Sequence, residues 1–188
     1  MFRRPNLIFR LPKTIRRFIG DDRAVAAIEF AFVAPVLIVA YIGMAELTMG
    51  MMAARRTSHL AATIGDLAAQ SDNLTLANIS DLWTIGASML APFDTSTGLK
   101  MRLSEITMNT SNKAVVVWSQ NSGWVNLATN STVAAVTTTQ LPQGQYMMMT
   151  EVEYDWVSPF GQFLPGTRAF TYTFYHHPRN GSQVTQVG

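Results

Sequence analysis

The chain contains no cysteine and only three histidines, and charged residues make up just 14% of its 188 positions. Without a thiol there is no disulfide framework, no thiolate metal site and no cysteine nucleophile, so the redox compartment cannot be read from the sequence. The charged fraction lies well below the quarter that soluble domains usually carry. The 48% apolar content, eleven methionines and a mean hydropathy of +0.13 lean the same way, toward a membrane segment. A chain of this length holds one modest domain plus an extra segment, not two full domains.

The residues that carry site chemistry are equally sparse. His176 and His177 are neighbours in a strand-like run and point to opposite faces, so they cannot chelate a metal together. Glu151, Glu153 and Asp155 share one strand face, which would attract calcium, but three acids on an edge strand read first as a solvated face that resists aggregation. No phosphate loop, nucleophile elbow or zinc-protease helix motif is present, and a non-catalytic protein without a cofactor is expected. Asn-x-Ser/Thr triplets at Asn73, Asn78, Asn109, Asn130 and Asn180 are no more than this Asn-, Ser- and Thr-rich composition yields by chance.

Charge is unevenly placed. Residues 1–23 hold seven Lys/Arg against two acids, and residues 57–188 hold five against eight, so the basic pI belongs to the N-terminal end. A basic tail is also a nucleic-acid signature, but here it directly precedes an apolar helix, as the positive-inside rule describes, and no nucleic-acid partner is expected. From Ala24 to Ala54 the only charged side chains are Glu29 and Glu46, and Phe30 to Ala45 is an uncharged run of 16 residues. That run reaches roughly 24 Å against a hydrocarbon core of about 30 Å, whereas a helix starting at Ala24 reaches about 33 Å. Spanning therefore brings Glu29 to the membrane. At its centre a carboxylate costs on the order of 3 kcal/mol and marks function; at headgroup level it simply ends the span. Pro35 removes one helical hydrogen bond and crowds the carbonyl of Ala31, so a kink is expected. Ala27, Ala31 and Ala34, then Gly43, Gly50 and Ala54, present small side chains that permit close helix contact.

Arg23 to Met44 reads RAVAAIEFAFVAPVLIVAYIGM. This stretch resembles the TadE-like family of minor pilins, or pseudopilins, of the tight-adherence (Flp, type IVc) pilus. In that family a short basic leader ends in a small residue, followed by a Glu-Phe pair and an apolar helix with an early proline. Ala24 corresponds to the last leader residue, where glycine is usual, Val25 to the first mature residue, Glu29 and Phe30 to the fifth and sixth, and Pro35 to the proline. The likeness covers about residues 22–56. It implies a bacterial inner-membrane protein crossing once, its N-terminus cytoplasmic and its C-terminal domain periplasmic or carried outside in the pilus. Implied partners are a prepilin peptidase cutting between Ala24 and Val25, other minor pilins and the major pilin, the inner-membrane pilus platform and the lipid bilayer. Cleavage would leave the new amine of Val25 close to Glu29, and pairing of the two within or between subunits would fix axial register.

Other readings stay open on the residues alone. The segment could anchor a periplasmic binding or enzyme domain unrelated to pili, or the protein could be an uncleaved inner-membrane adaptor of the pilus machine. A secretory signal cut after Gly43-Met44-Ala45, giving a start at Glu46, is opposed by the long basic region, by Glu29 at the head of the apolar stretch, and by apolar residues continuing through Ala54.

Helical spacing continues through Leu60, Ile64, Leu67 and Ala68, with Arg55, Arg56 and His59 opening a water-exposed section, and predicts one helix over residues 24–69. Ser71-Asp72-Asn73 reads as a turn, and residues 76–90 as a second helix capped by Thr75 and ended by Ala91-Pro92. Strands are expected at residues 100–108, 114–119, 146–156 and 168–176, with a weaker one at 133–138 and a frayed polar tail from Asn180. In the last strand Phe170, Tyr172 and Phe174 share a face suited to covering a helix. The expected organisation is a basic cytoplasmic leader (1–24), a transmembrane and extended N-terminal helix (25–70) and a periplasmic domain (71–188). The fold class is α+β, the long helix continuing into a small exported domain with a second helix and a mostly antiparallel sheet.

Overall fold

A computed structural model of the chain describes residues 22–181 and 183–187. The leader expected at residues 1–24 lies, up to residue 21, outside the described residues. The chain divides into two units, residues 1–45 and 46–188, and the division falls inside one helix.

Helix α1 (Asp22–Ala69) runs for 48 residues and passes through Pro35 without interruption. In the first unit its apolar side chains point outward on every side: Phe30, Phe32 and Tyr41 are 69%, 76% and 75% exposed. In the second unit the pattern changes. Glu46, Gly50, Ala53, Thr57, Leu60, Ile64 and Ala68 are buried at three- and four-residue spacing, the single stripe of an amphipathic helix. Several of these are small, so the helix backbone lies close to the sheet. A β-carbon added to Gly50 would meet the indole of Trp156 at 3.4 Å. That glycine, expected to serve helix contact in the membrane, thus has a packing role within the domain.

Strand β1 (Asn73–Thr75) leads into helix α2 (Leu76–Met89). Thr75 caps it as expected, its hydroxyl accepting the Asn78 N–H at 3.1 Å while the Asn78 side-chain oxygen accepts the Thr75 N–H at 3.1 Å. Ile79, Leu82 and Gly86 face the core. Arg56 closes the far end of α2, donating to the carbonyls of Met89 and Ala91, so it belongs to the fold and not to a merely solvated section.

Four strands follow: β2 (Leu99–Met108), β3 (Ala114–Ser122), β4 (Tyr146–Val157) and β5 (Thr167–His176). They form one antiparallel sheet in the order β3-β2-β4-β5. The class is α+β, as expected. The weaker strand at 133–138 does not form. That segment lies across one face of the sheet as turns, with a single bridge from Thr132 to Val115, because burying Val136 and Leu141 against Met147 and Met149 takes its apolar residues inward. Strand β4 is an inner strand, not an edge.

The C-terminal tail is not frayed either. Thr185–Val187 form β6, parallel to β1, and the adjoining Val184 is 1% exposed. The opposite face of the sheet packs on α1 and α2 through Leu60, Ile64, Leu82, Leu103, Val152 and Trp156, with Phe170, Tyr172 and Phe174 against that core as their shared face predicts.

Candidate functional site

Val25, Glu29, Phe30 and Pro35 all lie in the exposed part of α1. Val25 and Glu29 are four residues apart and therefore on one face, a turn from each other. The side chain of Ala24 lies outside what is described. About ten large apolar side chains between Val25 and Met44 are half to three-quarters exposed. Covering one such side chain is worth about 1.5–3 kcal/mol when complete, so leaving this surface in water would cost on the order of 10 kcal/mol. A single helix apolar on all sides belongs in lipid or among other helices. The segment is long and apolar enough to cross a membrane.

Where the domain begins, Glu46 is fully buried, with no cation paired to it among the described residues. Its charge is met by backbone instead. The Gln162 N–H donates to Oε1 at 2.8 Å, and the Phe163 and Leu164 N–H groups donate to Oε2 at 2.9 and 3.0 Å. The Ser158 side chain also hydrogen-bonds to it. One carboxylate thereby organises the loop Ser158-Pro-Phe-Gly-Gln-Phe-Leu164, a stretch whose successive N–H groups have no strand to pair with. In the sequence Glu46 stands out as the far limit of the uncharged run and as the start a secretory signal would leave, not as a buried anchor. The partners sit 116 to 118 positions away, beyond any local pattern. The available signal was a lone acid among apolar helical residues together with a distant Gly- and Pro-rich loop.

Two cations pair with the acidic trio on β4 within the sheet. Lys100 Nζ lies 2.6 Å from Glu153 and 3.2 Å from Asp155, and Arg102 Nε lies 2.7 Å from Glu151. The Lys100 ammonium pKa is raised by those two carboxylates. The Arg102 guanidinium also covers the Trp124 ring at 4.6 Å and donates to the Val125 carbonyl. These cations occupy the face on which a calcium ion would have to bind, and among the described residues no His, Asp or Glu group is arranged to hold a metal.

A second buried acid, Glu105, accepts the Val184 N–H at 2.6 Å and the Gln183 amide at 3.1 Å. Burial, only partly countered by these donors, pushes its carboxyl up to about 7. Trp118 Nε1 donates to the Val184 carbonyl at 2.9 Å, so both sides of one backbone unit are held. At the end of β5, burial holds the His176 imidazole below its ordinary value, and Asp66 counters this only in part.

The surface grooves are open. One of about 630 Å³ is lined by Gly144, Tyr146, His177 and Gly181, another of about 370 Å³ by Met49, Phe93, Tyr154 and Trp156. Neither gathers a nucleophile with a base. Comparison with family models, with curated proteins and with solved structures gives no match for this chain.

Proposed function

We propose that the protein is a non-catalytic minor pilin of the tight-adherence type, anchored in the bacterial inner membrane by the first part of α1 and incorporated by lateral helix packing. The observation that carries this reading is one helix of two characters. Its first half is apolar and outward-facing around Glu29 and Pro35; its second half is one stripe of an α+β domain's core. The motif at Ala24, Val25, Glu29 and Phe30 supports the same reading. The basic residues ahead of the helix favour a cytoplasmic N-terminus and a periplasmic domain.

In this mechanism a prepilin peptidase frees the amine of Val25, which pairs with Glu29 of its own or a neighbouring subunit. Charge pairing offsets the cost of both groups in apolar surroundings and sets the axial position, because any slip leaves a charge unpaired. The pilus platform and the other pilins meet the exposed helix, and the domain stays folded through the transfer because its core includes residues 53–69 of the same helix.

The test is the mature N-terminus, measured by mass spectrometry in cells with and without their prepilin peptidase. A peptidase-dependent start at Val25 supports the reading. An intact N-terminus makes the protein a fixed adaptor of the machine, and a start at Glu46 makes the helix a secretory signal and overturns the proposal.

A further inference from the structure

We infer that the loop at residues 158–166, with Val157 at the strand end that enters it, is a second membrane contact, seated in the headgroup and upper acyl region of the same bilayer that α1 crosses. The inference rests on the membrane-anchored reading above and adds to it a surface of the folded domain. Val157, Phe160 and Phe163 are 60%, 49% and 50% exposed. Between Asp155 and Arg168 there is no charged residue, and the loop carries two Pro and two Gly with those outward apolar groups. Three large apolar side chains on one short loop and the strand end that enters it are more than scattered surface residues explain.

The level of the loop follows from its attachment. Gln162, Phe163 and Leu164 donate their N–H groups to Glu46, the first charged residue after the uncharged run that ends at Ala45. Buried Trp156 packs on Gly50 one turn further along, which fixes the strand end from which the loop departs. On α1 itself Leu47 and Met51 are also about half exposed. With the apolar run in lipid, Glu46 marks the boundary, and a loop tied to it by three hydrogen bonds lies at that boundary too. Its carboxylate needs no lipid or water partner there, because the loop's own amides satisfy it. Of the two charges that flank the loop, Asp155 is paired with Lys100 at 3.2 Å and Arg168 is exposed; the first charge beyond Glu46 on the helix is the exposed Arg55, so the exposed flanking charges have the sign that suits anionic headgroups. An apolar tip a few ångströms deep with basic residues behind it is the pattern of an interfacial anchor.

The chain has no cysteine, so single cysteines can be labelled cleanly. The full-length protein is reconstituted in vesicles of phosphatidylethanolamine with phosphatidylglycerol. A nitroxide is placed at Gln162, which leaves Phe160 and Phe163 intact, and in separate samples at Val36 in the apolar run and at Val125, 73% exposed on the domain. Accessibility to oxygen relative to a water-soluble nickel chelate reads depth. The label at Gln162 is expected to show a several-fold higher ratio than that at Val125, falling toward it when Phe160 and Phe163 are both replaced by serine. A Gln162 label as open to the chelate as Val125, with Val36 in lipid, overturns the inference and leaves the anchor standing. A Gln162 label shielded from both reagents means that a second copy of the protein covers the loop, and also overturns it. A Val36 label open to the chelate removes the anchor and the inference together.

Discussion

Gly65 of α1 packs directly on His176 of β5: a β-carbon built on the glycine would lie 2.5 Å from His176 Nδ1 and 2.6 Å from Thr150 Oγ1. Both contacts are far inside van der Waals range, and neither neighbour is the end of a flexible chain. Alanine in place of glycine gains about 1 kcal/mol of helix propensity, whereas overpacking of a closed contact costs about 1–3 kcal/mol. Steric cost is expected to win, with Gly65→Ala unfolding at lower urea than the parent. The check is the same substitution made with His176→Ala. If the ring is the obstacle, the loss shrinks and the two changes are non-additive.

Glu105 makes stability depend on pH with a definite sign. The folded protein holds this proton up to about pH 7, while the unfolded chain releases it near 4.5. The native state therefore binds more protons between those values, and stability present below about pH 4.5 is lost as pH rises toward 7. After allowance for screening, the loss is roughly 1–2 kcal/mol. Urea unfolding at pH 5 and pH 8 measures it. Glu105→Gln is expected to flatten the difference, and an unchanged slope in that variant would assign it to other groups.

How much of this was legible beforehand follows from the range of each interaction. Helices α1 and α2, the Thr75 cap and the aromatic face of β5 are local or periodic, and the spacing of Leu60 and Ile64 or of Phe170, Tyr172 and Phe174 reveals them. The loop over the sheet at 133–138 has the composition of a strand, and only the competing burial of Val136 and Leu141 decides otherwise. Strand β6 was hidden because what orders it, Glu105 and Trp118 on Val184, acts across more than 60 residues. The acids of β4 read as an edge face for the same reason, since strand order is not a local property. At the candidate site the sequence exposed Glu29 through the run it interrupts, but not Glu46, whose partners are distant backbone amides without a side-chain signature.

Arg102 ties three things together: the Glu151 carboxylate, the Val125 carbonyl and the face of Trp124. Its side chain is 12% exposed, so these contacts are only partly screened. A charge-assisted hydrogen bond and a cation–π contact of this kind together contribute about 1–3 kcal/mol, and Arg102→Ala is expected to lower stability by that amount. The planar fork matters as well as the charge, so Arg102→Lys is expected to restore less than half. Equilibrium unfolding of the three proteins tests this, and full recovery with lysine would reduce the site to a simple ion pair.

Two carboxylates on one helix are expected to fail in opposite ways when neutralised. Glu29 is exposed in the first unit, so Glu29→Gln should leave the unfolding transition of the domain where it was. If it pairs with the amine of Val25, the same change should reduce incorporation into filaments, measured as protein recovered with sheared pili. Glu46 holds three N–H donors, and glutamine offers one oxygen where the carboxylate offered two, turning its amide N–H toward a donor. A buried donor left unpaired costs about 1–3 kcal/mol, so amide exchange at Gln162, Phe163 and Leu164 in Glu46→Gln should speed up by roughly tenfold or more, with exchange in β2 and β4 little changed. Hydrogen exchange by mass spectrometry on both variants separates the roles. Faster loop exchange in Glu29→Gln, or none in Glu46→Gln, would show that the two acids do not divide the work between assembly and fold.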